Sequence, residues 1–136
     1  MSETTRRFDL SVLPETLAIL YLSADATLPP WATQGAFFSV TRTSDELSIV
    51  CSAPQIPHGV AAETGWRALK VAGPFALSAI GVLAALATPL AKASISLFVI
   101  STFDTDYLLV SEKQLHAAIA ALRDAGHRVD NKGAAV

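Results

Sequence analysis

Residues 101–106 read Ser-Thr-Phe-Asp-Thr-Asp, which gathers hydroxyls and two carboxylates into one short stretch. Hydroxyls donate and accept hydrogen bonds, and ionised carboxylates accept them and attract cations. A few such groups converging on an apolar scaffold are the usual makings of a small-molecule site. The same residue types also fill ordinary turns, because they bond their own backbone. Spacing alone therefore leaves a binding reading and a plain-turn reading side by side.

Catalysis finds little support elsewhere in the chain. His58 lies in a Pro-rich segment, His116 on an expected helix and His127 at the start of an expected strand. Each reads as a surface or structural histidine. Cys51 is the single cysteine, so no disulfide forms within the chain, and its apolar surroundings suit a small buried hydrophobe. Asp104 and Asp106 have no histidine or third acid near them in sequence, so they make a poor metal site. No G-x-S-x-G, P-loop or G-x-G-x-x-G pattern occurs. The expectation is a non-enzymatic protein without a metal or cofactor.

The elements that would position 101–106 follow from the hydrophobic pattern. Two apolar runs, Ile95–Ile100 and Tyr107–Val110, flank the polar stretch and read as a hairpin of buried strands. Upstream, Trp66–Ala72 reads as a strand that ends at Gly73-Pro74. A helix is expected over Phe75–Leu90, with Ala79, Leu83, Leu86 and Leu90 on one face. Its first N–H groups lack partners and carry partial positive charge, which suits a carboxylate. Gly73 permits close approach and Ser78 adds a hydroxyl. Side by side, this helix start and Ser101, Thr102 and Asp106 would match a free amino acid's carboxylate and ammonium. The plain alternative is that Gly73-Pro74 only turns the chain and Ser78 only caps.

Further on, Ser111-Glu112-Lys113-Gln114 fits a capping box for a helix whose buried stripe is Leu115, Ala118, Ile119 and Leu122. Gly126 would close it, and His127–Val129 would form a last short strand. From Trp66 onward the order is strand, helix, strand, strand, helix, strand. That is the split βαβ pattern of ferredoxin-like α+β folds. The first half supplies strands at Phe8–Leu13, Leu17–Leu22, Ala36–Thr41 and Leu47–Cys51, with hardly any helix. Sliding the chain by 60 residues lays Phe38–Val50 over Phe98–Val110, a weak echo of a degenerate duplication.

Composition bounds the setting. Of 136 residues, 51% are apolar and 16% charged, enough for a sizeable core and an apolar patch to spare. The net charge is −2 and no basic run occurs, so nucleic acid is not an expected partner. The window between Lys70 and Lys92 carries no charge, but Gly73-Pro74 breaks it early, Pro89 breaks it late, and its centre is rich in alanine. It reads as a core helix rather than a membrane span. Arg6-Arg7 is not followed by an apolar signal segment, so a cytoplasmic setting is expected.

The run Ile95-Ser96 through Ile100-Ser101-Thr102-Phe103-Asp104-Thr105-Asp106-Tyr107 to Val110 closely resembles the ACT domains of a small bacterial family. These are similar to the animal cytosolic arginine sensors and, more distantly, to aspartate kinases. Thr41-Arg42-Thr43 with Asp45–Cys51 resembles the family's first hairpin, and Gly65–Arg67 through Val71–Pro74 its linking strand. The resemblance implies a tandem ACT protein: a reduced, mostly β half at 8–64 packed with an ACT domain at 65–130. It implies a regulatory module that binds an amino acid or similar effector and acts through a homodimer or partner protein. Its effector contacts would fall on Gly73, Pro74, Phe75, Ser78, Ser101, Thr102, Phe103 and Asp106. The family usually carries an acid and a threonine after Gly-Pro, whereas Phe75–Ile80 has neither. A basic ligand side chain would lose a partner there.

Overall fold

The computed structural model describes residues 6–75 and 79–134. The chain divides into two compact units, one made of residues 1–14 with 67–136 and the other of 15–66. The strands are β1 (Asp9–Val12), β2 (Leu17–Leu22), β3 (Ser39–Arg42), β4 (Leu47–Ser52), β5 (Glu63–Val71), β6 (Phe98–Ser101), β7 (Asp106–Ser111) and β8 (Arg128–Asp130). Helices α1 (Val82–Lys92) and α2 (Leu115–Asp124) both belong to the first unit. The fold is mixed α+β and ferredoxin-like, as the alternation of elements leads one to expect.

In the first unit the strand order is β6-β7-β5-β1-β8. The βαββαβ run from β5 to β8 is present, but β1 lies between β5 and β8. It runs antiparallel to β5, with Leu10 opposite Val71, and parallel to β8, with Leu10 opposite Val129. Residues 8–14, which the sequence pattern groups with the first half, thus complete the sheet of the second. One face of that sheet is apolar. Leu10, Val12, Leu69, Val71, Leu108 and Val110 pack there with Val82, Leu86 and Leu90 of α1 and Leu115, Ala118, Ile119 and Leu122 of α2. The intervening positions, including Lys70 and Tyr107, fall on the other face because side chains alternate along a strand.

The second unit carries the order β3-β4-β2, with the first residues of β5 beyond β2. Leu20, Leu47, Ile49 and Cys51 form its core with Ala32, and Trp31, Val40 and Ile56 pack around them. A short 3-10 helix at Pro30–Thr33 and loops, with no α-helix, cover these residues. Arg42 fastens one loop by donating from its guanidinium to the carbonyls of Ala24 and Ala26. Cys51 is buried, and burial pushes its thiol pKa upward, away from the reactive thiolate.

Helix α1 begins later than the sequence pattern suggests. Phe75 does not enter a helix, and its N–H bonds the carbonyl of Asp104 at 2.7 Å. The helix starts at Val82 after Gly81, which has φ 82° and tolerates it for want of a Cβ. The buried stripe is accordingly Val82, Leu86 and Leu90, whereas Leu83 is exposed. The capping box also fails to form. Residues 112–114 make a 3-10 turn before α2, and Ser111 makes no side-chain cap. Gly126 does follow the helix in a left-handed conformation, and the His127 N–H bonds back to Leu122.

Pro89 sits inside α1 rather than ending it. A proline has no N–H, so the carbonyl four residues earlier, that of Ala85, loses its helical donor. His127, 3% exposed, supplies one in its place. Its Nδ1 accepts from the Phe8 N–H at 3.1 Å, so Nε2 carries the proton and donates to the Ala85 carbonyl at 3.1 Å. One neutral imidazole thus joins the entry to β1, the entry to β8 and the middle of α1.

A second buried polar group secures the end of the described chain. Arg67, 1% exposed, donates through Nη2 to the carbonyls of Leu13 (3.1 Å) and Gly133 (2.6 Å), while its Nε has no partner. A Cβ on residue 133 would stand 2.1 Å from the Val12 carbonyl oxygen, so only glycine fits there.

The imidazole bridge predicts a specific coupling. His127→Phe should destabilise the protein by about 1–3 kcal/mol, the usual cost of stranding buried backbone groups. In a Pro89→Ala background the cost should shrink, because residue 89 then offers its own N–H to Ala85. Denaturant titration of the two single variants and the double variant measures the coupling, and strictly additive effects would refute it.

Candidate functional site

The polar stretch 101–106 forms the tip of the β6–β7 hairpin. Ser101 lies opposite Asp106 at the end of the ladder, and the Ser101 hydroxyl donates to Asp106 Oδ1 at 2.5 Å. Between them the turn is fastened by threonines. The Thr102 N–H bonds the Thr105 carbonyl at 2.7 Å, and the Thr102 hydroxyl both donates to that carbonyl and accepts from the Thr105 N–H. The buried Thr105 hydroxyl donates to the Val71 carbonyl at the end of β5.

The segment after β5 closes against this turn. Gly73 passes so near it that a Cβ would stand 2.7 Å from the Asp104 carbonyl oxygen. Phe75 comes next but one, with its N–H on that same oxygen. Its ring meets Phe8 edge-on at 5.6 Å, and Phe8 in turn stacks on His127 at 5.7 Å. The hairpin tip, the β5 exit and α1 are therefore held by one connected set of contacts.

Between the hairpin tip and the start of α1 lies a cavity of about 340 Å³. Ser101 to Asp106 line one side, Gly81 to Ala84 the other, with Phe75 and Ala79 at the edge. Four of the expected ligand residues, Ser101, Thr102, Phe103 and Asp106, meet here, and Phe75 joins them. Gly73 and Pro74 instead line a separate cavity of about 270 Å³ on the far side of the turn. Ser78 lies outside the described residues.

The arrangement combines two charge preferences. Among the described residues no side chain caps α1, so the N–H groups of its first turn are open to an acceptor. The carboxylates of Asp104 and Asp106 stand across from them, and no Lys, Arg or His is among the lining residues. Sequence reading missed Asp104 as a wall and placed the helix start at Phe75 rather than Val82. A usable signal for the latter was Gly81, a glycine just before the periodic stripe. Among the described residues no group of three or more His, Cys, Asp or Glu is placed to hold a metal ion. No described helix is long and apolar enough to cross a membrane.

Comparison with known proteins bears on the family and the fold. The ACT-domain family model matches residues 61–124, and a separate N-terminal domain model matches residues 15–59. A crystal structure of an Agobacterium tumefaciens protein is 41% identical, with a TM-score of 0.88 over 93% of this chain and 95% of that one. The chain is a member of the ACT-domain family. Among its ACT relatives, the cytosolic arginine sensor for mTORC1 subunit 1 of Bos taurus is 31% identical over 102 residues, 69% of this chain and 31% of the sensor. The chain thus spans about a third of that sensor's length. The regulatory subunit of aspartate kinase from Thermus thermophilus shares the fold, with a TM-score of 0.62 over 90% of this chain and 99% of that one at 10% identity.

The turn geometry makes a prediction of its own. Thr105→Val keeps the shape but removes the hydroxyl that reaches Val71, and should cost about 1–2 kcal/mol. The amide NMR signals of residues 73–75 and 101–106 should move together, and α2 should be unchanged. Shifts confined to residue 105 would show that the turn and the β5 exit are not joined as described.

Proposed function

We propose that this ACT-domain protein is a non-enzymatic regulatory module that binds a free amino acid in the cavity between the hairpin tip and the start of α1. The observation that carries the reading is the pairing of open helix N–H groups with facing carboxylates in one cavity. The ligand's carboxylate goes to the first turn of α1, where the helix dipole favours an anion. Its ammonium goes to Asp106, which the Ser101 hydroxyl already orients. The rest of the lining is largely apolar, with Phe75, Ala79, Val82, Leu83 and Phe103. That composition favours a neutral side chain over a basic one. The bovine relative is named for arginine sensing, and it is the amino-acid class, not arginine, that carries over in this reading. A cytoplasmic setting belongs to the same proposal.

A second reading has an observation of its own. Ile80 (87% exposed), Phe103 (76%) and Leu83 stand as large exposed apolar groups around the cavity mouth. Such a patch suits association with a second copy of the chain, with the cavity only a by-product.

A melting-temperature screen against the twenty amino acids at millimolar concentration separates the two. Binding to the native state raises the melting temperature. The binding reading expects neutral amino acids to raise it and Asp106→Asn to abolish the rise. If no amino acid moves it while sedimentation shows a concentration-dependent dimer, the second reading stands and the first falls.

A further inference from the structure

The second cavity, of about 270 Å³, has a different character. It lies behind the 102–105 turn and is lined by Lys70, Gly73, Pro74, Thr102, Asp104, Thr105 and Tyr107. Lys70 and Tyr107 belong to the sheet face away from the helices. The Lys70 side chain is exposed and is in hydrogen-bond or ion-pair contact with none of the described residues. The first cavity has carboxylates and no cationic side chain in its lining. Thr102, Asp104 and Thr105 line both cavities, but only this one adds a cationic side chain, Lys70, with Pro74 and Tyr107 as its apolar surface.

The walls are already fixed. Thr102 and Thr105 are tied to each other, Thr105 is tied to Val71, and Phe75 is tied to Asp104. A ligand therefore has little loop to order on binding, which lowers the entropic cost. We infer that this cavity is a second ligand subsite, selective for a small hydroxylated carboxylate such as a 2-hydroxy acid. The anion sits on the Lys70 ammonium, and the ligand hydroxyl donates to the Asp104 carboxylate. A fully cationic ligand is repelled by Lys70. Lys70, Gly73, Pro74 and Tyr107 belong to this subsite alone, whereas Thr102, Asp104 and Thr105 also line the first cavity.

Glycolate is a suitable probe, since it lacks the ammonium group that the first cavity calls for. It is titrated into the 15N-labelled full chain and followed by amide NMR shifts. The subsite expects saturable shifts at Gly73 and Tyr107, which line this cavity and not the first. Lys70→Gln should weaken them by about tenfold or more, the usual effect of losing a charged hydrogen-bond partner. The melting temperature of the variant serves as the folding control, because Lys70 is exposed. Absence of saturation at millimolar glycolate overturns the proposal. So does unchanged affinity in Lys70→Gln. Shifts confined to Gly81–Ala84 also overturn it, because they would put the anion at the start of α1. Failure of the amino-acid screen in the first cavity leaves these outcomes untouched, so the two readings fail separately.

Discussion

The hydrogen bond from His127 to the Ala85 carbonyl is the constraint on which the helical face of this domain depends. Pro89 leaves that carbonyl without its own donor, and the imidazole fills the place from the neighbouring strand. Because Nδ1 of the same ring is committed to the Phe8 N–H, the ring cannot shift to satisfy one partner without leaving the other. Helix α1 is thereby fixed at its middle, not only by the apolar contacts of Val82, Leu86 and Leu90. The consequence is geometric. A helix held at residue 85 has its first turn held as well, and that turn is one wall of the first cavity.

The other wall is a hairpin tip that the molecule builds twice. Thr43 N–H bonds the Glu46 carbonyl just as Thr102 N–H bonds that of Thr105, and in both turns the threonine hydroxyl accepts from a backbone N–H inside the turn. The offset is 59 residues, one fewer than the sequence echo indicates, because the ladders pair Arg42 with Leu47 and Ser101 with Asp106. The substitutions between the two tips are informative. Where one has the Ser101–Asp106 pair, the other has Arg42 and Leu47. Arg42 holds a covering loop in place. The same backbone device thus carries a cavity wall in one unit and a structural clamp in the other.

Much of this was readable from residues near one another in sequence. The hairpins announced themselves because apolar runs bracket short polar turns, and α2 because its stripe repeats at helical spacing. Residues 101–106 were legible as a unit for the same reason. The illegible features depend on distant partners. The segment before α1 is instead tied by Phe75 to Asp104, 29 residues away in the chain. The insertion of β1 between β5 and β8 leaves no trace in its own alternation, which would look the same beside any neighbours. Pro89 reads as a helix end until His127 is seen to supply the missing donor. Asp104 looked like turn chemistry because its role as a wall is fixed by α1 and not by its sequence neighbours.

Arg67 and Gly133 carry a consequence for how such a sequence can change over time. The guanidinium satisfies carbonyls on two separate segments, and residue 133 has no room for a side chain against the Val12 carbonyl. Replacing the arginine alone strands two carbonyls. Replacing the glycine alone forces its segment away and removes one of the arginine's two acceptors. Neither step is neutral by itself, so the two positions are bound to vary together. Substitutions elsewhere on the exposed surface face no such condition. The pair behaves as a single inherited character written at opposite ends of the domain.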